Sequence, residues 1–290
     1  MTIQQLSQEI GIGIDTLRVW EKRYGFPVPT RNARGHREYS HQQLEELRVV
    51  KNLQGFGQRP GKIFSFSTTE RRQLLEQLLA QHSPQDEWLQ ELVDKLSPQQ
   101  IEQELSEQCR KLGLTDFVLS CAVPLLQLLD HRWTTGQISI AREHLISDQL
   151  EKLLKTKIAT PASESQLKIL LLTLSGERHK LGLLLAAALF HSHGVNCTWL
   201  NEELPASELP ELTRELKVDA VALSFSSHYS SRQAKQNLSV LRKSVAAEIK
   251  IIAGGHAVRK MTSLPNLLIC TDLAQIEPLV QKHFSRTGNG

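Results

Sequence analysis

From Lys168 onward the chain alternates short apolar runs with amphipathic stretches, and this alternation restricts the fold more than any other feature of the sequence. The apolar runs are Lys168 to Leu174, Val195 to Leu200, Ala220 to Phe225, Ile251 to Ala253 and Leu267 to Cys270. Between them Leu181 to His193, Ser207 to Leu216 and Ser231 to Val245 have helical spacing, and a last helix begins at Asp272. Five strands alternating with helices predict a doubly wound parallel sheet over residues 166–285. Ligands of such sheets lie beyond the carboxyl ends of the strands, where the strand order reverses. Three polar groups fall on that edge: Glu177-Arg178-His179-Lys180-Leu181-Gly182 after the first strand, Ser224, Ser226 and Ser227 after the third, and Gly254-Gly255-His256 after the fourth. His191 and His193, two residues apart on a helix, point to different faces and read as surface rather than as a metal pair.

Ahead of a polar linker, Ile158-Ala159-Thr160-Pro161-Ala162-Ser163-Glu164-Ser165, the periodicity is helical. Leu74, Leu75, Leu78 and Leu79, then Trp88, Leu89, Leu92 and Leu96, then Ile101, Leu105 and Cys109 mark successive apolar faces, with Pro84 and Pro98 near helix starts. Thr115 to Trp133 and Ser139 to Lys155 predict two more helices, so residues 76–157 read as a four-helix bundle with short connections. Gly136 should end the first of these helices and Ser139 should cap the next. Trp133 then lies in a last turn, with Glu143 and His144 just beyond a first turn, so that both ends can face one site. The same spacing also fits a buried tryptophan beside a structural Glu-His pair.

The N-terminal 75 residues have a third pattern. Thr2 caps a short helix through Ile10, Gly11 gives a tight turn, and Asp15 caps a second helix from Thr16 to about Tyr24. Leu17, Trp20 and Tyr24 recur at three and four residues and face inward, which leaves Arg18, Lys22 and Arg23 outward. After the non-helical Gly25-Phe26-Pro27-Val28-Pro29, the stretch from Thr30 to Tyr39 is dense in donors and bends at Gly35, the pattern of a basic wing. Ser40 and Gln43 form a capping box opening a helix with the stripe Leu44, Leu47, Val50 and Leu53.

Charge follows this division. Residues 1–75 hold 12 basic and 7 acidic side chains, against 22 and 24 in the remainder, so the small N-terminal segment carries a basic surplus that fits a phosphate-binding surface and, equally, a solvated charged face. Cys109, Cys121, Cys197 and Cys270 are widely spaced, which argues against a disulfide framework or a zinc knuckle and for reduced cytoplasm. No signal segment is expected, nor any run approaching the roughly 18 apolar residues that span a bilayer. The ending, Thr287-Gly288-Asn289-Gly290, reads as a floppy tail.

The run Thr16-Leu17-Arg18-Val19-Trp20-Glu21-Lys22-Arg23-Tyr24-Gly25, followed by Pro29, Arg31, Gly35, Arg37 and Tyr39, resembles the winged helix-turn-helix of the MerR family. That resemblance implies a homo-oligomer, dimer or tetramer, on double-stranded operator DNA, with the helix in the major groove and the wing on the backbone. Trp20 and Tyr24 read first as core, and Arg18, Arg31 and Arg37 as phosphate or guanine contacts. The full candidate set for DNA is Thr16, Arg18, Lys22, Tyr24, Arg31, Arg34, His36, Arg37 and Tyr39.

Glu177-x-His179-x-x-Gly182 resembles a cobalamin-binding signature whose serine and Gly-Gly elements match Ser224, Ser226, Gly254 and Gly255, although Ser226 stands where a leucine is usual. The C-terminal domain is then flavodoxin-like or Rossmann-like, and the resemblance implies cobalamin with His179 as the lower axial ligand of cobalt. Glu177 is a candidate partner to fix the histidine tautomer, and direct exposure of its carboxylate to solvent fits the sequence equally. The glycines would admit the nucleotide tail. With Trp133, Glu143 and His144 ahead of it, the chain is similar to the cobalamin-binding photoreceptor regulators of the MerR family. In those, the tryptophan caps the upper axial ligand, adenosylcobalamin holds a tetramer on DNA in the dark, and light dissolves it. Thr134 departs from the histidine that follows the tryptophan in the best-known members, and a hydroxyl is a poor ligand for this cobalt. Adenosylcobalamin is the expected form, with methylcobalamin second. The function expected is a transcriptional regulator, a repressor, rather than an enzyme or a membrane protein. The alternatives are a corrinoid carrier module of a methyltransferase-type enzyme and a MerR regulator that works without cobalamin.

Overall fold

The computed structural model describes residues 1–10, 12–32, 35, 37–56, 58–80, 87–134, 136–160, 162, 167–177, 179–226, 229–263 and 265–284. It divides into two compact units, Met1–Gln85 with Gln127–Ile140 and Asp86–Leu126 with Ala141–Gly290. The division cuts across the bundle expected over 76–157, because residues 127–140 belong with the N-terminal segment.

In the first unit, Thr2 and Gln5 cap α1 (Ile3–Ile10) reciprocally, each side chain accepting from the other's amide. Helix α2 (Ile14–Tyr24) starts earlier than its sequence suggests: Gly13 is the cap residue, and no side chain supplies a cap bond. Asp15 lies instead in the first turn, where its charge favours the helix dipole. Gly11 lies outside the described residues. The wing is a two-stranded antiparallel ribbon, β1 (Thr30–Arg31) and β2 (Arg37–Glu38), with Thr30 opposite Glu38. The Ser40–Gln43 capping box opens α3 (His41–Gly55), and α4 (Pro60–Ile63) and α5 (Thr68–Ala80) follow. Leu6, Ile10, Leu17, Trp20, Leu44, Leu47, Val50, Leu53, Ile63 and Leu75 form one buried core.

The second unit begins with α6 (Glu87–Asp94) and α7 (Pro98–Phe117), which Ser97 and Gln100 cap. Gly113, at φ 78 and ψ 165, breaks α7, so the apolar stretch after it is a separate helical segment. A single π turn, Val118–Ala122, leads into α8 (Val123–Thr134), whose residues from Gln127 on belong to the first unit, and α9 is Ile140–Ile158. The Arg142 guanidinium donates to the carbonyls of Leu92, Val93 and Leu96, closing the end of α6 where backbone acceptors lack helical partners. One expectation needs correction: the helical stretch Pro98–Trp133 is long and apolar enough to cross a bilayer by length and composition. Its Phe117, Val118, Ala122 and Leu125 are buried in the fold, which is also how a core helix meets that measure.

The sheet is five-stranded, all parallel, in the order β4-β3-β5-β6-β7 for β3 (Lys168–Leu172), β4 (Asn196–Trp199), β5 (Ala220–Ser224), β6 (Lys250–Gly254) and β7 (Leu267–Cys270). Helices α10 (Leu181–Ser192), α11 (Leu209–Leu216), α12 (Ser231–Ser244) and α13 (Ile276–Phe284) complete the doubly wound fold. Alternate strand residues Leu170, Leu172, Val221, Leu223, Ile251 and Ala253 share a core with Leu209, Ala234, Leu238 and Leu241 of α11 and α12. Leu171, Ala222 and Ile252 between them are buried too, so both faces are covered.

Candidate cofactor site and nucleic-acid face

The strand order reverses between β3 and β5, and the loops leaving these two strands meet there. Glu177, 1% exposed, organises the meeting. Its Oε1 accepts from the His179 amide at 2.8 Å and lies 3.0 Å from His179 Nδ1, while its Oε2 accepts from the Ser226 amide at 2.6 Å. The Ser226 hydroxyl is 3.2 Å from the same Nδ1. Burial alone would push the Glu177 carboxyl up, but the bonds from the His179 ring and amide and from Ser226 outweigh it and hold the group below the ordinary carboxylate range. A carboxylate at Nδ1 favours the tautomer that carries its proton there, which puts the imidazole lone pair on Nε2. The His179 ring is 52% exposed. A half-exposed imidazole with a fixed tautomer is a one-electron-pair donor to a metal. Among the described residues no three His, Cys, Asp or Glu side chains are grouped to hold a metal ion.

The loop bearing His179 is clamped from two sides by residues that no sequence signal marked. The Gly176 amide, in a residue at φ 90, donates to the Glu203 carboxylate at 2.6 Å. The Tyr229 hydroxyl donates to the Ser175 carbonyl at 3.4 Å and accepts from Asn237 at 2.8 Å. The Lys180 ammonium donates to the Asn201 carbonyl.

The three glycines differ. A side chain at Gly182 would meet nothing within 4 Å, so that position leaves open space beside the histidine loop. At Gly254 a Cβ would come 2.7 Å from the Cys270 carbonyl oxygen, and at Gly255, φ 92, 2.4 Å from that of Phe225. Close approach of neighbouring strands therefore already demands the Gly-Gly pair, and room for a ligand is not its first cause. Ser224 ends β5 in register with Gly254. Arg178 and Ser227 lie outside the described residues.

Trp133 falls in the first unit and Glu143 and His144 in the second. The Trp133 ring lies under the Arg48 guanidinium of α3, 4.2 Å from its centroid, a partner the sequence reading missed. Glu143 bonds its neighbour His144 and accepts from Ser147. Burial and the adjacent Arg132 push the His131 imidazole down. His191 is not a surface group as expected: its Nδ1 is buried without a hydrogen-bond partner, and burial pushes its pKa down. None of the four cysteines is in a disulfide, and burial pushes the Cys197 thiol up to about 12 and the Cys270 thiol up to about 11, which makes both poor thiolates.

On the first unit Arg18, Lys22 and Arg37 line a cleft of about 560 Å³ between α2 and the wing, with Glu21, Gly25, Pro27, Val28 and Pro29. Thr16 and Arg31 are exposed, and Arg31 bonds the Gly35 carbonyl across the wing bend. Two aromatic candidates are placed differently from a DNA contact. Tyr39 is buried and its hydroxyl donates to Glu21, and burial with that carboxylate pushes the phenol well up. Tyr24 stacks on Phe64 at 4.7 Å. Arg34 and His36 lie outside the described residues.

Residues 1–63 match the MerR HTH family regulatory protein family, and residues 167–269 match the B12 binding domain. The chain thus joins a MerR helix-turn-helix to a B12 binding domain. It is 27% identical over 270 residues to the HTH-type transcriptional repressor CarH of Myxococcus xanthus, covering 86% of each chain. To the repressor CarA of the same organism it is 27% identical over 265 residues, covering 90% of this chain and 88% of that one. Both relatives are transcriptional repressors. The chain is also similar to the solved monomethylamine corrinoid protein of Methanosarcina barkeri, at 14% identity and a TM-score of 0.46, covering 66% of this chain and 97% of that one.

Proposed function

We propose that the protein is a cytoplasmic, cobalamin-dependent transcriptional repressor that binds operator DNA as a dimer or tetramer, with adenosylcobalamin and light controlling its assembly. The observation that carries this reading is the Glu177–His179–Ser226 cluster at the strand-order reversal of a chain whose other end is a basic helix-turn-helix. His179 would hold the cofactor through Nε2, Glu177 would keep the proton on Nδ1, and Gly182 would leave room at the loop. Ser224, Ser226, Gly254 and Gly255 would border the remainder, and Glu143 and His144 would serve its upper face. Bound there, cobalamin supplies a cobalt–carbon bond that light can break. Arg18, Lys22, Arg31 and Arg37, with Thr16, would hold the DNA.

The test is absorbance after incubation with adenosylcobalamin and with methylcobalamin in the dark. Wild type is expected to take up cofactor with the spectrum of histidine ligation, and His179→Ala to lose that spectrum and most of its affinity. An unchanged spectrum and affinity in the variant removes His179 as the ligand. No uptake by wild type points instead to a regulator acting through protein contacts alone.

A further inference from the structure

We infer that Val19 reads a thymine methyl group in the operator's major groove. Val19 is 55% exposed, one of five large apolar side chains so exposed among the described residues. Single exposed apolar groups are ordinary, so exposure alone decides nothing. Position decides. Buried Leu17 and Trp20 define the inner side of α2, and at 100° per residue the opposite side carries Asp15, Arg18, Val19 and Lys22. Val19 is thus the apolar member of an outward stripe flanked by two cations, both lining the cleft shared with Arg37 of the wing.

The other groups nearby have different work. Glu21 accepts from Tyr39 and pairs with Arg37 at 3.9 Å, which takes it out of base reading. Arg18 and Lys22 suit phosphate or guanine acceptors. The major groove offers one apolar feature, the 5-methyl of thymine, and apolar side chains recognise it by contact. A β-branched side chain on a helix is held in one rotamer, so Val19 presents its methyls in a fixed direction. The inference rests on α2 being the helix that enters the groove.

The experiment uses the full-length protein, with and without adenosylcobalamin in the dark. Wild type selects duplexes from a randomised pool, and each thymine of the selected site is then replaced singly by deoxyuridine, which lacks only the methyl. One position per half-site should weaken wild-type binding about fourfold, the size expected for one buried methyl group. Val19→Ala should bind the thymine duplex more weakly and show less than a twofold response to uridine at that position, with its salt dependence unchanged. Val240→Ala, at a valine 53% exposed on α12, should behave as wild type. A uridine penalty that persists in Val19→Ala, or no position at which wild type responds, overturns the assignment. If wild type enriches no duplex at all, the DNA-reading role of α2 falls, and the assignment with it.

Discussion

The glycines of the cofactor edge make opposite predictions. Gly255→Ala places a Cβ 2.4 Å from the Phe225 carbonyl oxygen on a backbone at φ 92, so about 3 kcal/mol of folding stability should be lost whether or not cofactor is present. Gly182→Ala meets open space in the first turn of α10, and helix propensity should raise apo stability by up to about 1 kcal/mol while cofactor affinity falls. Denaturant midpoints and cofactor titration measure both; equal affinity in Gly182→Ala takes that glycine out of the binding set. Glu177 adds a pH dependence. Its folded carboxyl is depressed, so its stabilisation is complete above the ordinary carboxylate range and is lost as pH falls through the folded value. Glu177→Gln should therefore cost about 1–3 kcal/mol near neutrality and progressively less in acid. A stability difference that stays constant from pH 7 to strong acid would contradict the ionised, bonded state of Glu177.

Among the elements, the end of α6 depends on a residue far along the chain. Arg142→Ala strips three carbonyls of their donor, at a cost of about 2–3 kcal/mol, and Arg142→Lys should recover only part of it because an ammonium cannot fork to all three. Urea unfolding of the two variants settles it, and a neutral Arg142→Ala would mean the end of α6 is held otherwise. Elements with strong local chemistry were legible in the sequence. The Ser40 capping box, the continuous apolar runs of β3, β5 and β6, buried on both faces, and the span of β7 follow from side-chain types at fixed offsets. What was not legible depends on partners distant in the chain. Tyr39 reads as a wing residue until Glu21, 18 positions earlier, takes its hydroxyl. Arg48 gives no sign of Trp133, and Glu203 none of the Gly176 amide. The Gly-Gly pair was legible as a requirement for absent side chains, but its cause, the carbonyls of adjacent strands, needs the register.

The two ends of the chain must communicate if a cofactor is to govern DNA, and linkage states what that demands. The N-terminal surplus of 12 basic over 7 acidic groups predicts salt-steep binding, and replacing Arg18, Arg31 and Arg37 together with alanine should remove operator shifts while leaving cofactor uptake intact. That variant separates the ends; coupling needs a second measurement. If adenosylcobalamin strengthens operator affinity by some factor, operator must strengthen cofactor affinity by the same factor, commonly about 5–150-fold. Assembly adds concentration dependence, so protomer concentration must be fixed across both arms. We expect the dark operator dissociation constant with and without adenosylcobalamin, and the cofactor dissociation constant with and without operator, to give matching ratios above about 5, and illumination to abolish both. Ratios of one in both directions would leave two independent binding activities on one chain, with the cofactor having no bearing on DNA.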